Sequence, residues 1–215
     1  MTTNNRIALI TGGSRGLGRN MAEALAARGV DVIFTFHSAE AQAAEVVKAI
    51  EAKGRRAVAL QFDVRDFAKY GEFVARLQTA LAGRKLDILV NNAGTGLHAP
   101  FMETTEAQFD DAVNVHLKST FFLTQRVVPV MNDGGRVLNV SSGLARFALP
   151  GYGAYATMKG GVETLTRYLA KELGPRRIAV NVVAPGAVAT DFGGGHVRDN
   201  TQLQAMLVPT IAMGR

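Results

Sequence analysis

Tyr155 and Lys159 stand four residues apart in the stretch GYGAYATMKGG, residues 151–161. Ala156, Thr157 and Met158 between them suit a helix, so both side chains fall on one face, a turn apart. A phenol held beside an ammonium is a proton donor and acceptor that works near neutral pH. Free tyrosine titrates near about 10, and bringing it to about 7 takes roughly 4 kcal/mol of preferential stabilisation of the phenolate. A neighbouring cation in a partly dry site supplies much of that. An ordinary amphipathic helix also carries Tyr-x-x-x-Lys by chance, so the remaining elements must decide.

Those elements alternate. Arg6–Thr11 is a short apolar run that ends in glycines, as a buried parallel strand does. TGGSRGLG follows, placing Gly12, Gly16 and Gly18 at the turn into a helix that reaches about Arg28. Glycines let the backbone turn tightly and approach a pyrophosphate, and the free N–H groups of the helix start receive the anion. The spacing differs from the G-x-G-x-x-G fingerprint. Asp31–Phe36 is a second strand, after which come His37 and Ser38, with no carboxylate before Glu40. In dinucleotide-binding folds an acid near that point holds the ribose 2′-hydroxyl. Its absence, with Arg15 in the glycine loop, favours a 2′-phosphate and hence NADP(H) over NAD(H); a merely solvated Arg15 is the alternative.

Ala57–Phe62 and Leu86–Val90 are further strands, separated by the helical stripe Tyr70, Phe73, Val74, Leu77 and Leu81. A long helical region is expected from about Thr105 to Met131, with Phe109, Val113, Leu117 and Phe121 on its apolar side. Asn114 lies inside it, where Asn is a poor helix former. It is either a tolerated solvated residue or an internal one whose side chain, or whose disturbed backbone, holds a water near the site. Gly135–Ser142 is the next strand, and the Tyr155 helix carries Val162, Leu165, Leu169 and Leu173 up to the stop at Gly174-Pro175. Ile178–Val183 is the last strand, closed by Pro185 and Gly186. The remainder, 187–215, is irregular apart from a short helix at Gln202–Leu207, and reads as a lid over the substrate or as a plain surface loop.

Strand–helix alternation at this spacing predicts an α/β protein, a Rossmann-like doubly wound parallel sheet with helices on both faces. Ligands bind such sheets beyond the carboxyl ends of the strands, and Gly12, Asp63, Asn91 and Ser142 all fall there. The chain reads as a single domain over 1–215.

Composition narrows the classes. Hydrophobic residues make up 47% and charged residues 20%, which argues against disorder. There is no cysteine, which excludes disulfides, thiolate metal sites and cysteine nucleophiles. No metal ligands are singled out. The net charge of +6 comes from cations scattered through helices, among them Lys48, Lys53, Arg76 and Arg84, so a solvated face is expected and not a nucleic-acid site. The first residues lack the pattern of a signal peptide, and no run approaches the roughly 20 apolar residues that span a bilayer. A cytoplasmic protein with no membrane partner is expected.

With TGGSRGLG, NNAG, Asn114, Ser142, YATMK and the Pro185-Gly186 turn in place, the chain resembles the short-chain dehydrogenase/reductase family. Within it the resemblance is greatest to the 3-oxoacyl-acyl-carrier-protein reductase type. The resemblance implies an NADP(H)-dependent oxidoreductase that interconverts a ketone, such as a 3-oxoacyl thioester, and a secondary alcohol. The alternative is a catalytically weak dinucleotide-binding sensor or scaffold. It implies that Tyr155 exchanges a proton with the substrate oxygen, that Ser142, not Ser141, polarises the carbonyl, and that Lys159 binds the nicotinamide ribose and lowers the Tyr155 pKa. Asn114 would hold a relay water. The cofactor would lie along Gly12, Ser14, Arg15, Gly16, Leu17 and Gly18, then His37 and Ser38. Asp63 and Val64 would meet the adenine, Asn91, Ala93 and Gly94 would pack beside the cofactor, and Pro185, Gly186, Val188 and Thr190 would hold the nicotinamide end. A homo-oligomer, tetramer or dimer, is implied. The family's usual last helix and strand do not appear before Arg215: if that is the native end, an exposed edge strand is expected, and a truncated or incompletely represented chain is the alternative.

Overall fold

The computed structural model describes residues 6–211 and 213–214. Six parallel strands form one sheet: β1 Ile7–Ile10, β2 Asp31–Phe36, β3 Ala57–Gln61, β4 Leu86–Asn91, β5 Met131–Val140 and β6 Ala179–Val183, in the order β3-β2-β1-β4-β5-β6. The order reverses between β1 and β4. Both neighbours of that point, the loop after β1 and the loop after β4, therefore open onto one crevice at the carboxyl edge.

Helices cover both faces, as the pattern predicts. On one face α1 (Gly16–Ala26) and α2 (Glu40–Glu51) bury Ala22, Ala26, Ala43, Val46 and Ile50 against Val32 and Phe34. On the other, α3 (Tyr70–Leu81), α5 (Ser119–Val127) and α6 (Gly153–Leu173) pack on Leu9, Leu89 and Val137. β1 and β2 are buried at every residue, which is why they read as continuous apolar runs instead of alternating ones.

Three features depart from the sequence reading. First, the expected long helix is broken into α4 (Glu106–Ala112), a π-helical turn at Val113–Lys118, and α5. The wide turn shifts the phase, so Phe109 and Phe121 stay exposed while Ala112, Val115, His116, Leu123 and Val127 are buried. Second, β5 begins at Met131, within the stretch expected to be helical. Met131 pairs with Leu86, and regular pairing resumes only at Arg136 with Ile88, so the residues between them form a bulge. Third, the tail holds α7 (His196–Asp199) ahead of α8 (Thr201–Leu207). Among the described residues β6 is an edge strand, as expected, and no helix is long and apolar enough to cross a membrane.

Candidate active site

The glycine loop is fixed from below. Asn92 Nδ2 donates to the Thr11 and Gly12 carbonyls at 2.9 and 3.1 Å, while Thr11 Oγ1 accepts from the Asn92 and Ala93 amides. Gly12 N donates to Thr35 Oγ1 at 3.1 Å, and Gly12 itself sits at φ +67°. A Cβ on Gly18 would lie 2.1 Å from the Gly12 carbonyl oxygen, so only glycine lets α1 start this close to the loop. The first turn of α1 has no side-chain cap and no acid, which leaves its N–H groups and dipole for an anion. These features fit the pyrophosphate of a dinucleotide cofactor. Ser14 is buried in the loop and Leu17 half-buried, and Thr190 from the tail lies over Gly16.

Beyond β2, His37 and Ser38 are exposed, and Arg15 is exposed with no ion pair among the described residues. His37 Nε2 is 3.4 Å from Asp63 Oδ2, and Arg65 grips the same carboxylate at 2.9 Å. The Arg65 hydrogen bonds hold Asp63 below the usual carboxylate range despite some burial. The side chain of Val64 turns into the core. One expectation for this edge changes. Asn91 does not face the crevice: its amide donates to Thr124 Oγ1 and Asn139 Oδ1 behind the sheet, both at 2.8 Å. Asn92, which the sequence reading passed over, braces the loop in its place. Side chains alternate between faces at a strand end, so only one of the two adjacent amides can face the crevice.

On α6, Tyr155 and Lys159 are both buried on one face, with the Lys159 Nζ 5.7 Å from the Tyr155 ring centroid. Burial raises the Tyr155 pKa above its ordinary value, outweighing the nearby Ser142 hydroxyl, which favours the ionised phenol. Lys159 Nζ donates to the Val140 carbonyl at 2.8 Å, and burial brings its pKa down to about 8. Ser141, by contrast, turns away toward the Lys159 carbonyl and Glu163.

The π-helical turn supplies a residue the sequence reading did not name. His116 is 1% exposed, and its ring stands edge-on to Tyr155 at 5.0 Å and 87°. The added Cβ of a non-glycine residue at 94 would come within 3.0 Å of its Cε1. Neither ring nitrogen has a hydrogen-bond partner of good geometry among the described residues, although the Thr95 main chain lies close. Burial, then the nearby Lys159 charge, push its pKa down to about 3. Asn114 is only half-buried, and its side chain makes no hydrogen bond among the described residues. Two positions along a helical turn is close to half a rotation, so Asn114 faces away from the side on which His116 meets Tyr155.

The tail passes over the same crevice. Gly143 N donates to the Pro185 carbonyl at 2.8 Å, Gly186 and Val188 are exposed, and the Phe192 ring lies 6.1 Å from that of Tyr155. Among the described residues no cluster of His, Asp or Glu is arranged to hold a metal ion.

A doubly wound sheet with a glycine-lined helix start at its switch point, and a serine, tyrosine and lysine gathered at the same edge, defines a nucleotide-cofactor-dependent oxidoreductase. The family model for short chain dehydrogenases matches residues 6–201. Hydroxynaphthalene reductase-like protein Arp2 of Metarhizium brunneum is 39% identical over 189 residues, covering 87% of this chain and 70% of the relative. Among solved structures, angucycline C-6 ketoreductase LanV with bound NADP superposes with TM-score 0.92 at 36% identity, over 98% of this chain and 82% of that one. The promiscuous reductase LugOII, which catalyses keto-reduction at C1 during lugdunomycin biosynthesis, gives 0.91 at 39%, over 98% and 84%. The chain belongs to the short chain dehydrogenase family.

Proposed function

We propose that this protein is an NADP(H)-dependent reductase that interconverts a bulky ketone and its secondary alcohol, with Tyr155 as acid and base. The observation that carries the reading is the buried Tyr155 phenol, with the Ser142 hydroxyl near it and the Lys159 ammonium 5.7 Å from its ring centroid. Bound in the crevice, the nicotinamide would supply or take up the hydride. Gly12, Ser14, Arg15, Gly16, Leu17 and Gly18 would hold its phosphates and ribose, with Ala93, Gly94, Pro185, Gly186, Val188 and Thr190 toward the nicotinamide. Arg15 and the acid-free end of β2 favour the 2′-phosphate, and LanV was solved with NADP.

The residues then divide the proton work. The Ser142 hydroxyl donates to the carbonyl oxygen as negative charge grows on it, and Tyr155 delivers the proton. Burial keeps Tyr155 protonated at neutral pH, which suits a donor in the reduction direction. Lys159 stays cationic below about pH 8 and stabilises the phenolate once the proton has left. Phe147, Leu149 and Phe192 are exposed around the mouth, an apolar rim suited to an aromatic ketone or the acyl part of a 3-oxoacyl thioester. Residues 187–211 would act as the lid. The exposed pair Phe121 and Phe122, ring centroids 5.1 Å apart, offers a face for self-association into a homo-oligomer, and we take the cytoplasm as its place of work.

The test is turnover of NADPH with a ketone panel that includes 2-tetralone and ethyl acetoacetate. Tyr155→Phe is expected to lose at least about 100-fold in kcat while still binding NADPH. Unchanged turnover across the panel would overturn the reading.

A further inference from the structure

We propose that His116, seated on the π-helical turn, is the positioning residue that holds a relay water for Lys159 and Tyr155 in this site, the place that the resemblance assigned to Asn114. The inference rests on the reading of Tyr155 as acid and base.

A buried imidazole with two unpartnered nitrogens is costly, because each polar atom has given up water and received nothing. An apolar ring of similar size would fill the space without that cost. The Lys159 charge is felt at the ring, and the Thr95 main chain lies beside it. A water shared with Lys159 meets the need of both. Lys159 spends one N–H on the Val140 carbonyl, which leaves its other donors for ribose and water.

The local backbone is built to place this ring. Opening the helix frees carbonyls, and two hydroxyls one turn further on, at the start of α5, take them up: Ser119 Oγ donates to the Val115 carbonyl at 2.5 Å and Thr120 Oγ1 to the His116 carbonyl at 2.8 Å. Gly94 gives the ring its seat, since any side chain there would press on Cε1. Thr95, beside the ring, also lines a cavity of about 250 Å³, with Gly96, Gln108, Asp111 and Ala112, the last of these one turn before His116.

The groups that face His116 are Tyr155 and Lys159 from α6 and the main chain of Gly94 and Thr95. Among the described residues no carboxylate contributes there; burial and the ammonium outweigh the opposing pull of the Thr95 main chain, and the ring stays neutral. A neutral imidazole offers one donor and one acceptor, which orients a water without storing a proton. The step balances. Once Tyr155 has given its proton to the substrate oxygen, Lys159 passes one N–H proton toward the phenolate. Lys159 then takes a proton from the held water, and solvent restores that water through the cavity. His116 ends each turnover with the protons it began with.

The experiment compares His116→Leu, His116→Asn, Asn114→Ala and Tyr155→Phe in NADPH-dependent reduction of 2-tetralone. It adds solvent isotope effects and an ultraviolet titration of the Tyr155 phenol in the protein alone, with Tyr155→Phe as the blank. His116→Leu is expected to lose about tenfold or more in kcat, with KM and NADPH affinity within about twofold and a larger solvent isotope effect. Its Tyr155 pKa is expected to rise by about one unit. His116→Asn, which can still orient a water, should stay within about threefold, and Asn114→Ala within about twofold. A purely structural His116 would change melting temperature and leave the isotope effect and the titration unmoved. The proposal is overturned if folded His116→Leu keeps kcat and the wild-type titration, or if Asn114→Ala shows the loss instead. Should neither His116 variant fold, nitrogen-15 spectra of the wild-type ring decide. A ring N–H in exchange with water within seconds supports the relay, and one protected for hours overturns it. Tyr155→Phe turning over normally would instead sink the proposed function, whatever His116 does.

Discussion

The Tyr155 helix and the Val113–Lys118 turn face each other across the crevice, and they differ in how their residues are placed. α6 is regular over Gly153–Leu173, so four-residue spacing alone puts Tyr155 and Lys159 on one face. The opposite wall breaks regularity where the chemistry is, and the residue it delivers is His116, not Asn114. Periodicity identifies site residues only where the backbone keeps its period. Where the helix widens, the sequence shows that something is unusual but not which neighbour turns inward.

Both walls can be broken. On the regular one, Lys159→Met should cost about 100-fold or more in kcat/KM, because it removes the cation near the phenol ring as well as the proposed ribose donor; steady-state kinetics with NADPH would show it. Retained turnover would mean that α6 is merely scaffold. Gly18→Ala should abolish measurable NADPH binding or folding, since the new methyl meets the Gly12 carbonyl at 2.1 Å; fluorescence titration and circular dichroism separate the two outcomes.

The next effects are linkages between pH and stability. His116 titrates at about 3 in the folded protein and near its ordinary 6.5 unfolded, so the unfolded chain binds the extra proton between those values. Stability is fully retained above about 6.5 and falls as the pH drops toward 3, and this loss should be smaller in His116→Asn by denaturant melts at several pH values. Lys159 has the opposite consequence for alkali. Its folded value of about 8 against an ordinary 10.5 means that the cost of burying its charge is full below about 8 and is relieved as the pH rises to about 10.5. Lys159→Met should lose that rise. The smallest effect expected is that of Asn114→Ala, within about 0.5 kcal/mol of wild-type stability, as befits a half-exposed side chain without a partner.

Much of the architecture was legible. β2 spans the same residues as its apolar run, Asp31–Phe36, because a strand buried on both faces needs no alternation to be seen. β5 was placed too late because its start at Met131 depends on a partner, Leu86, across a bulge that no local pattern announces. At the site, the glycine loop, Ser142, Tyr155 and Lys159 were visible from residue type and order. Asn91 and Asn92 were not told apart, since which of two adjacent amides faces the core depends on the strand's last pairing. That burial of the phenol outweighs the help it receives from Ser142 is not announced by residue type or order.

The most direct test of the central claim is a single-turnover comparison of wild type and Tyr155→Phe, mixed with stoichiometric NADPH and saturating ketone. The account predicts rapid loss of NADPH absorbance with the alcohol formed in equal amount by the wild type, and a rate lower by about 100-fold or more in the variant. Equal rates would contradict it, and so would NADPH binding by the wild type with no reduction of any ketone in the panel.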